Sequence, residues 1–343
     1  VGAERVARRS FGDTLGARVE ERGSQIVLGL DPDPNALWPG VYEPRDGDGN
    51  GEGRGEGERA AVPEGGTAHA TGASSAARRA ADAVRAHCEA LIDAAGPACV
   101  AVKPQLACFE RLGVAGRGAL EAVVRHAREA GLLVIADGKR GDIDVSARAY
   151  AQALFGGMGT PFGEVAGLGA DMATVNPLMG GDAVEPFVTA ARAAGGGVLA
   201  LVRTSNPGAT DVEDLELAGA GAEGGSGARR VWERLAELVD ELGRPGVGKG
   251  GLSDVGAVVG ATVPGHLARA RELMPNAVFL LPGVGAQGGR VQDLAPAFAP
   301  GRAGGLVSAS RSIAGAHLTH GGEPAAAARA EAERLRALAW KLA

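Results

Sequence analysis

Short apolar runs closed by a proline, glycine or charge alternate along this chain with stretches whose apolar positions fall three and four residues apart. The first run, Ile26-Val27-Leu28, gives way to Gly29-Leu30-Asp31-Pro32. Further runs lie at 99–102, 132–136, 171–175, 197–202, 257–262, 277–281 and 305–309. Runs this short, bounded by turn residues, predict strands buried on both faces. Helical spacing predicts helices at 75–95, 117–130, 143–154, 183–194, 229–242, 264–273 and 325–342. In the first of these Ala80, Val84, Cys88 and Leu91 share a face, and Pro264 suits the first turn of another.

Eight strand candidates alternating with helices predict a parallel sheet, and the count favours a closed (β/α)8 TIM barrel of the α/β class over an open sheet. We expect one barrel domain across 1–343. Residues 43–73 interrupt the alternation after the first strand with Gly, Glu, Arg and Pro and almost no apolar side chain. Such a composition cannot bury enough surface to offset its ordering entropy, so a mobile low-complexity insertion is expected there.

Composition narrows the partners. The formal charge of -6 is spread over interspersed signs without a basic stripe, which argues against nucleic acid. No run approaches the roughly 20 apolar residues of a membrane span. Three cysteines, Cys88, Cys99 and Cys108, lack metal-site or redox-pair spacing and suit a reducing, cytoplasmic setting. His317 and His320 have no third ligand nearby and read as a solvated loop, while His87 and His126 read as surface or boundary residues of helices. Trp232 and Trp340 are expected to pack helices on the barrel, and Trp38 to cover a loop.

The unusual polar residues fall where strands end: Asp31, Lys103, Asp137, Lys139, Ser205, Gln287 and Arg311. In an α/β barrel those ends form the catalytic face. Arg311 after the eighth strand and the glycine-rich 283–289 loop after the seventh occupy the usual phosphate position of such barrels. Asp137-Gly138-Lys139-Arg140-Gly141-Asp142 taken alone also fits a solvated turn with surface ion pairs. With Lys103 it becomes an array of two cations and two anions. A lysine between carboxylates stays protonated, which makes it a proton donor and not a Schiff-base nucleophile. A carboxylate facing an anionic substrate is relieved when that substrate loses its charge, so the array suits decarboxylation followed by protonation of the carbanion.

These residues also carry a resemblance. Lys103-Pro104-Gln105, Asp137-x-Lys139-x-x-Asp142-Ile143, Thr204-Ser205-Asn206-Pro207, the run from Pro282 to Gly289 and Ser310-Arg311-Ser312-Ile313 together resemble the orotidine 5′-phosphate decarboxylases, in their longer bacterial subgroup. The resemblance implies a metal-free, cofactor-free homodimer that converts orotidine 5′-phosphate to uridine 5′-phosphate and carbon dioxide in the last step of de novo uridine 5′-phosphate synthesis. It implies Lys139 as proton donor to C6 and Asp137 facing the departing carboxylate. Lys103 and Asp142 complete the array, Asp142 from the neighbouring subunit. It further implies Asp31 and Gln105 on the ribose, Ser205 on the pyrimidine, and Gln287 and Arg311 on the phosphate. It also implies Ile143, Ser146 and Ser310 as additional substrate-binding positions. After Ile143 the subgroup commonly has Gly-Ser-Thr, whereas Asp144-Val145-Ser146 stands here. Magnesium-dependent sugar-phosphate relatives need a carboxylate at the second strand's end, where this chain has Lys103. A catalytically silent barrel that only binds a nucleotide or serves as an interaction scaffold is the other alternative.

Overall fold

The computed structural model describes residues 10–42, 74–218, 229–261, 264–284 and 288–342. The expected insertion at 43–73 lies outside the described residues. Eight strands form the closed barrel: β1 (Ile26–Leu30), β2 (Ala101–Pro104), β3 (Leu133–Arg140), β6 (Met172–Val175), β7 (Gly197–Arg203), β8 (Val255–Val259), β9 (Phe279–Leu281) and β10 (Gly305–Ala309). Every pair is parallel, and β10 returns to β1 with Ile26 opposite Val307.

The helices follow the expected alternation: α2 (Ser75–Ala95), α3 (Leu106–Glu110), α4 (Gly113–Glu129), α5 (Asp144–Leu154), α6 (Gly181–Ala194), α7 (Val231–Gly243) and α8 (Pro264–Leu273). Two short helices, α9 (Arg311–Ala314) and α10 (Ala316–His320), precede the closing α11 (Pro324–Trp340). Among the described residues no helix is long and apolar enough to cross a membrane.

Strand alternation sorts the core into two layers. Ile26, Leu28, Val102, Val134, Ala136 and Ala173 point outward and pack with the helices. Val27, Ala101, Leu133, Ile135, Met172, Leu199 and Leu306 point inward and fill the lumen. They meet Phe11, Leu15 and Val19 of α1 (Phe11–Arg22), which plugs the amino-terminal end of the barrel. Ser10 caps this helix by accepting the N–H of Asp13, and Gly23 ends it in the left-handed conformation. With one end sealed by α1, the lumen opens at the carboxyl ends of the strands.

Several expectations change. The strand expected at 99–102 runs from Ala101 to Pro104, so Lys103 lies inside it. The central strand continues through Asp137 and Lys139 to Arg140 for the same reason: lumen positions near the open end can be charged. A hairpin, β4 (Met158–Thr160) with β5 (Gly163–Val165), follows α5 in a stretch too rich in glycine to read as strand. His87 is buried, not at the surface, because its Nδ1 accepts the backbone N–H of Trp38 and its ring meets the indole edge to face. His317 and His320 lie in the short helix α10, His320 exposed and His317 half-buried.

Candidate active site

Period-2 alternation carries the lumen face of each strand directly into the site. On β3 the inward residues Leu133 and Ile135 are followed by Asp137 and Lys139, and on β2 inward Ala101 is followed by Lys103. On β1 the same face continues from Val27 through Gly29 to Asp31. Glycine is required at 29, since a Cβ there would overlap the Ser310 hydroxyl arriving from the end of β10. Gly260, past β8, makes similar room for Ser205, whose Cα would lie 2.9 Å from an added Cβ.

Asp137 is the centre. It is 4% exposed, and its Oδ1 accepts Lys139 Nζ at 2.6 Å and the Thr174 hydroxyl at 2.9 Å. Its Oδ2 accepts the Lys103 ammonium and, at 3.3 Å, Gln105 Nε2. Burial pushes this carboxyl upward, but the ammonium groups of Lys103 and Lys139 outweigh it and hold Asp137 down at about 2. Asp137 is therefore anionic at any pH near neutrality. Lys103 is almost as buried as Asp137, whereas Lys139 is exposed to the lumen mouth. Lys139 takes a left-handed backbone conformation with φ of 46°, uncommon for a residue with a side chain, and its N–H donates to the Thr174 hydroxyl at 2.9 Å.

A second group lines a cleft of about 130 Å³: Asp31, Lys103, Gly283, Ser310, Arg311 and Ser312 are among its walls. That volume accommodates one end of a ligand, since pockets for whole small molecules run to about 300–1,000 Å³. Lys103 belongs both to this cleft and to the Asp137 array, so the two are continuous. Arg311 is exposed at the start of α9, free to meet an anion.

The remaining sequence candidates are placed differently. Asp142 is half-buried and accepts the N–H of Ile143 at 2.8 Å; it has no ion-pair partner among the described residues. Ile143 and Ser146 are exposed, Ile143 bordering a separate groove between α5 and α6. Ser205 is half-buried in the segment after β7 but does not line the cleft. Gln287 lies outside the described residues. Among the described residues, no three His, Cys, Asp or Glu side chains converge as a metal-binding group. Thr174 escaped the sequence reading because it sits within the apolar run Met172-Ala173-Thr174-Val175, where a threonine signals only strand propensity.

Residues 79–330 match the Orotidine 5'-phosphate decarboxylase / HUMPS family. The chain belongs to that family. It is 47% identical over 223 residues to an orotidine 5'-phosphate decarboxylase of Deinococcus radiodurans, covering 65% of this chain and 74% of the relative. A relative of the same name from Roseiflexus sp. (strain RS-1) is 34% identical over 329 residues, 95% of this chain and 96% of its own. The solved OMP decarboxylase of Leishmania donovani has a TM-score of 0.64 and 29% identity, covering 96% of this chain and 99% of that one. In this chain Lys103 and the Asp137-x-Lys139 pair stand inside one barrel lumen, where the alternation of β2 and β3 alone would put them.

Proposed function

We propose that the chain decarboxylates orotidine 5′-phosphate to uridine 5′-phosphate, and that the Lys103–Asp137–Lys139 array performs the chemistry. The array carries this reading: a buried anion held by two ammonium groups, one of them facing the lumen mouth. The phosphate sits against Arg311 and the Gly283 segment, and the ring reaches inward toward Asp137. Asp137 repels the substrate carboxylate, and that repulsion vanishes as the C6–carboxylate bond breaks and carbon dioxide leaves. The electron pair left on C6 takes a proton from Lys139 Nζ, and the neutral amine regains a proton from water. Lys103 keeps Asp137 ionised throughout. Asp31 and Gln105 hold the ribose and Ser205 the pyrimidine, while Ser310 supports the phosphate end and Gln287 completes it.

The assembly is a homodimer in which Asp142 enters the site of a second copy, with Ile143 and Ser146 beside it. Exposed Ile143, Val145, Leu178 and Met179 support this, as an apolar surface around Asp142 that a second copy would cover. The Met179 methyl lies against Gly141, so both segments belong to one face. Lys103 stands where magnesium-using relatives need a carboxylate, and an ammonium there repels a divalent cation.

The test is the ultraviolet change of orotidine 5′-phosphate on mixing with chelator-treated protein, alongside Lys139→Ala. Conversion by the native chain and its loss in the variant are expected. An active Lys139→Ala variant overturns the assignment of the proton donor, and a requirement for magnesium overturns the metal-free reaction.

A further inference from the structure

Thr174 lies near the end of β6, on a strand from which the proposed chemistry draws no group. Its inward position follows from Met172, two residues earlier on the same strand face, and its side chain is buried. The hydroxyl makes two hydrogen bonds, and both end on the array. It donates to Asp137 Oδ1 at 2.9 Å and accepts the backbone N–H of Lys139 at 2.9 Å. One oxygen thus joins the side chain of the central anion to the main chain of the proton donor two residues further on.

The other donors to Asp137 cannot fix its orientation equally well. Lys103 and Lys139 reach it through four-carbon stems, and Gln105 through a flexible amide at 3.3 Å. Threonine is β-branched and stiff at χ1, and here it is carried by a strand hydrogen-bonded on both sides, to β3 and β7. The same hydroxyl occupies the N–H of Lys139 where the backbone turns left-handed, a conformation that persists only if its surroundings hold it.

We propose that Thr174 is a positioning residue for the decarboxylation: its hydroxyl sets the orientation of the Asp137 carboxylate and the left-handed turn that aims Lys139. This rests on the decarboxylase reading above. Thr174→Val keeps the shape but removes both the donor and the acceptor, leaving the N–H of Lys139 without its partner. Thr174→Ser restores the hydroxyl and removes only the methyl group. The phosphate cleft is not touched by either change.

The experiment compares kcat and KM for orotidine 5′-phosphate in the native chain and both variants, with uridine 5′-phosphate binding measured by titration to report the folded site. Thr174→Val is expected to lower kcat by about 10- to 100-fold, the range for losing a supporting hydrogen bond that orients a functional group and below the roughly 100- to 1,000-fold for a donor at the reacting atoms themselves, with KM and product affinity within about threefold. Thr174→Ser is expected to recover most of the lost kcat. Native kcat in Thr174→Val overturns the proposal, as does an equal loss in Thr174→Ser, or a loss confined to KM or to product binding. Failure of the native chain to convert the substrate is a separate result, which removes the decarboxylase reading itself.

Discussion

The indole N–H of Trp38 donates to the carbonyl oxygen of Ala314 at 2.7 Å, joining the segment after β1 to the helical turn that starts with Arg311. The same tryptophan donates its backbone N–H to His87 Nδ1 at 3.1 Å. Trp38 is therefore a strut between α2 and the cleft that would receive the phosphate.

Trp38→Phe keeps an aromatic ring but deletes the bond to Ala314. Its net contribution to stability should be about 1 kcal/mol, the typical value for one intramolecular hydrogen bond. The larger effect should fall on binding, because the turn bearing Arg311 loses a tether. KM for the phosphate-bearing substrate is expected to rise several-fold, with affinity for the phosphate-free nucleoside unchanged. Steady-state kinetics on both ligands would show it; equal weakening of both would contradict the link.

His87 makes the same strut sensitive to acid. Burial, with a smaller contribution from His317, pushes its imidazole down to about 4. The folded value lies below the ordinary one of about 6.5, so the unfolded chain takes up the proton first. The neutral ring favours the fold above that ordinary value, and the advantage is lost as pH falls from there through about 4. The loss should reach about 3 kcal/mol, at 1.36 kcal/mol per unit. Denaturant unfolding at pH 7 and pH 4.5 should show most of that drop, about 2 kcal/mol, in the native chain and a much flatter response in His87→Asn. An unchanged slope in the variant would place the acid sensitivity elsewhere.

The barrel was legible because its eight strands are continuous apolar runs with abrupt polar ends, and two buried faces leave no alternation to confuse with a helix. The catalytic candidates were legible because charge at a strand end is expensive unless it is used. Lys103 and Asp137 announce themselves for that reason, and the structure joins them as expected. Thr174 and His87 were not legible. A threonine in an apolar strand and a histidine on an amphipathic helix are ordinary in sequence, and only their partners across 37 and 49 residues reveal what they hold. The hairpin at β4 and β5 was hidden by glycines, whose pairing comes from chain geometry and not from a side-chain pattern.

Asp144 stands where the resemblance implies glycine, and its backbone takes a conformation that glycine favours, with φ of 49°. The carboxylate has found an exposed partner in Arg148 at 3.1 Å, and such surface pairs contribute about 0–1 kcal/mol. Strain in the left-handed region costs about 1–2 kcal/mol for a residue with a Cβ, less for Asp than for most. Asp144→Gly should therefore be neutral to stabilising by up to about 1 kcal/mol, a balance further reduced by the entropy of glycine in the unfolded chain. Chemical denaturation tests it, and a clear destabilisation would mean that the pair with Arg148 outweighs the backbone strain.

Arg203 ends β7 and anchors the segment that carries Ser205. Its guanidinium is buried and pairs with both oxygens of Asp214, at 3.0 and 2.8 Å, while donating to the carbonyl of Thr204 at 2.6 Å. Glu213 adds a second clamp, accepting the Thr204 N–H and hydroxyl, each at 2.8 Å. Arg203 holds the Asp214 carboxyl below its usual range through their hydrogen bonds, so that carboxylate is ionised near neutrality. Arg203→Met would leave two carboxylates facing each other without their cation. Removing one partner of a buried charge cluster costs about 3–5 kcal/mol, and the lower end applies here because Asp214 and Glu213 reach solvent. The segment from Thr204 to Asn206 should then lose its fixed path, and with it the contact proposed for Ser205 with the ring. The expected signature is a lower denaturation midpoint and a raised KM, with the inhibition constant of inorganic phosphate equal in variant and native chain. Weakened phosphate inhibition to the same degree would show that the clamp supports the whole barrel mouth and not the Ser205 segment alone.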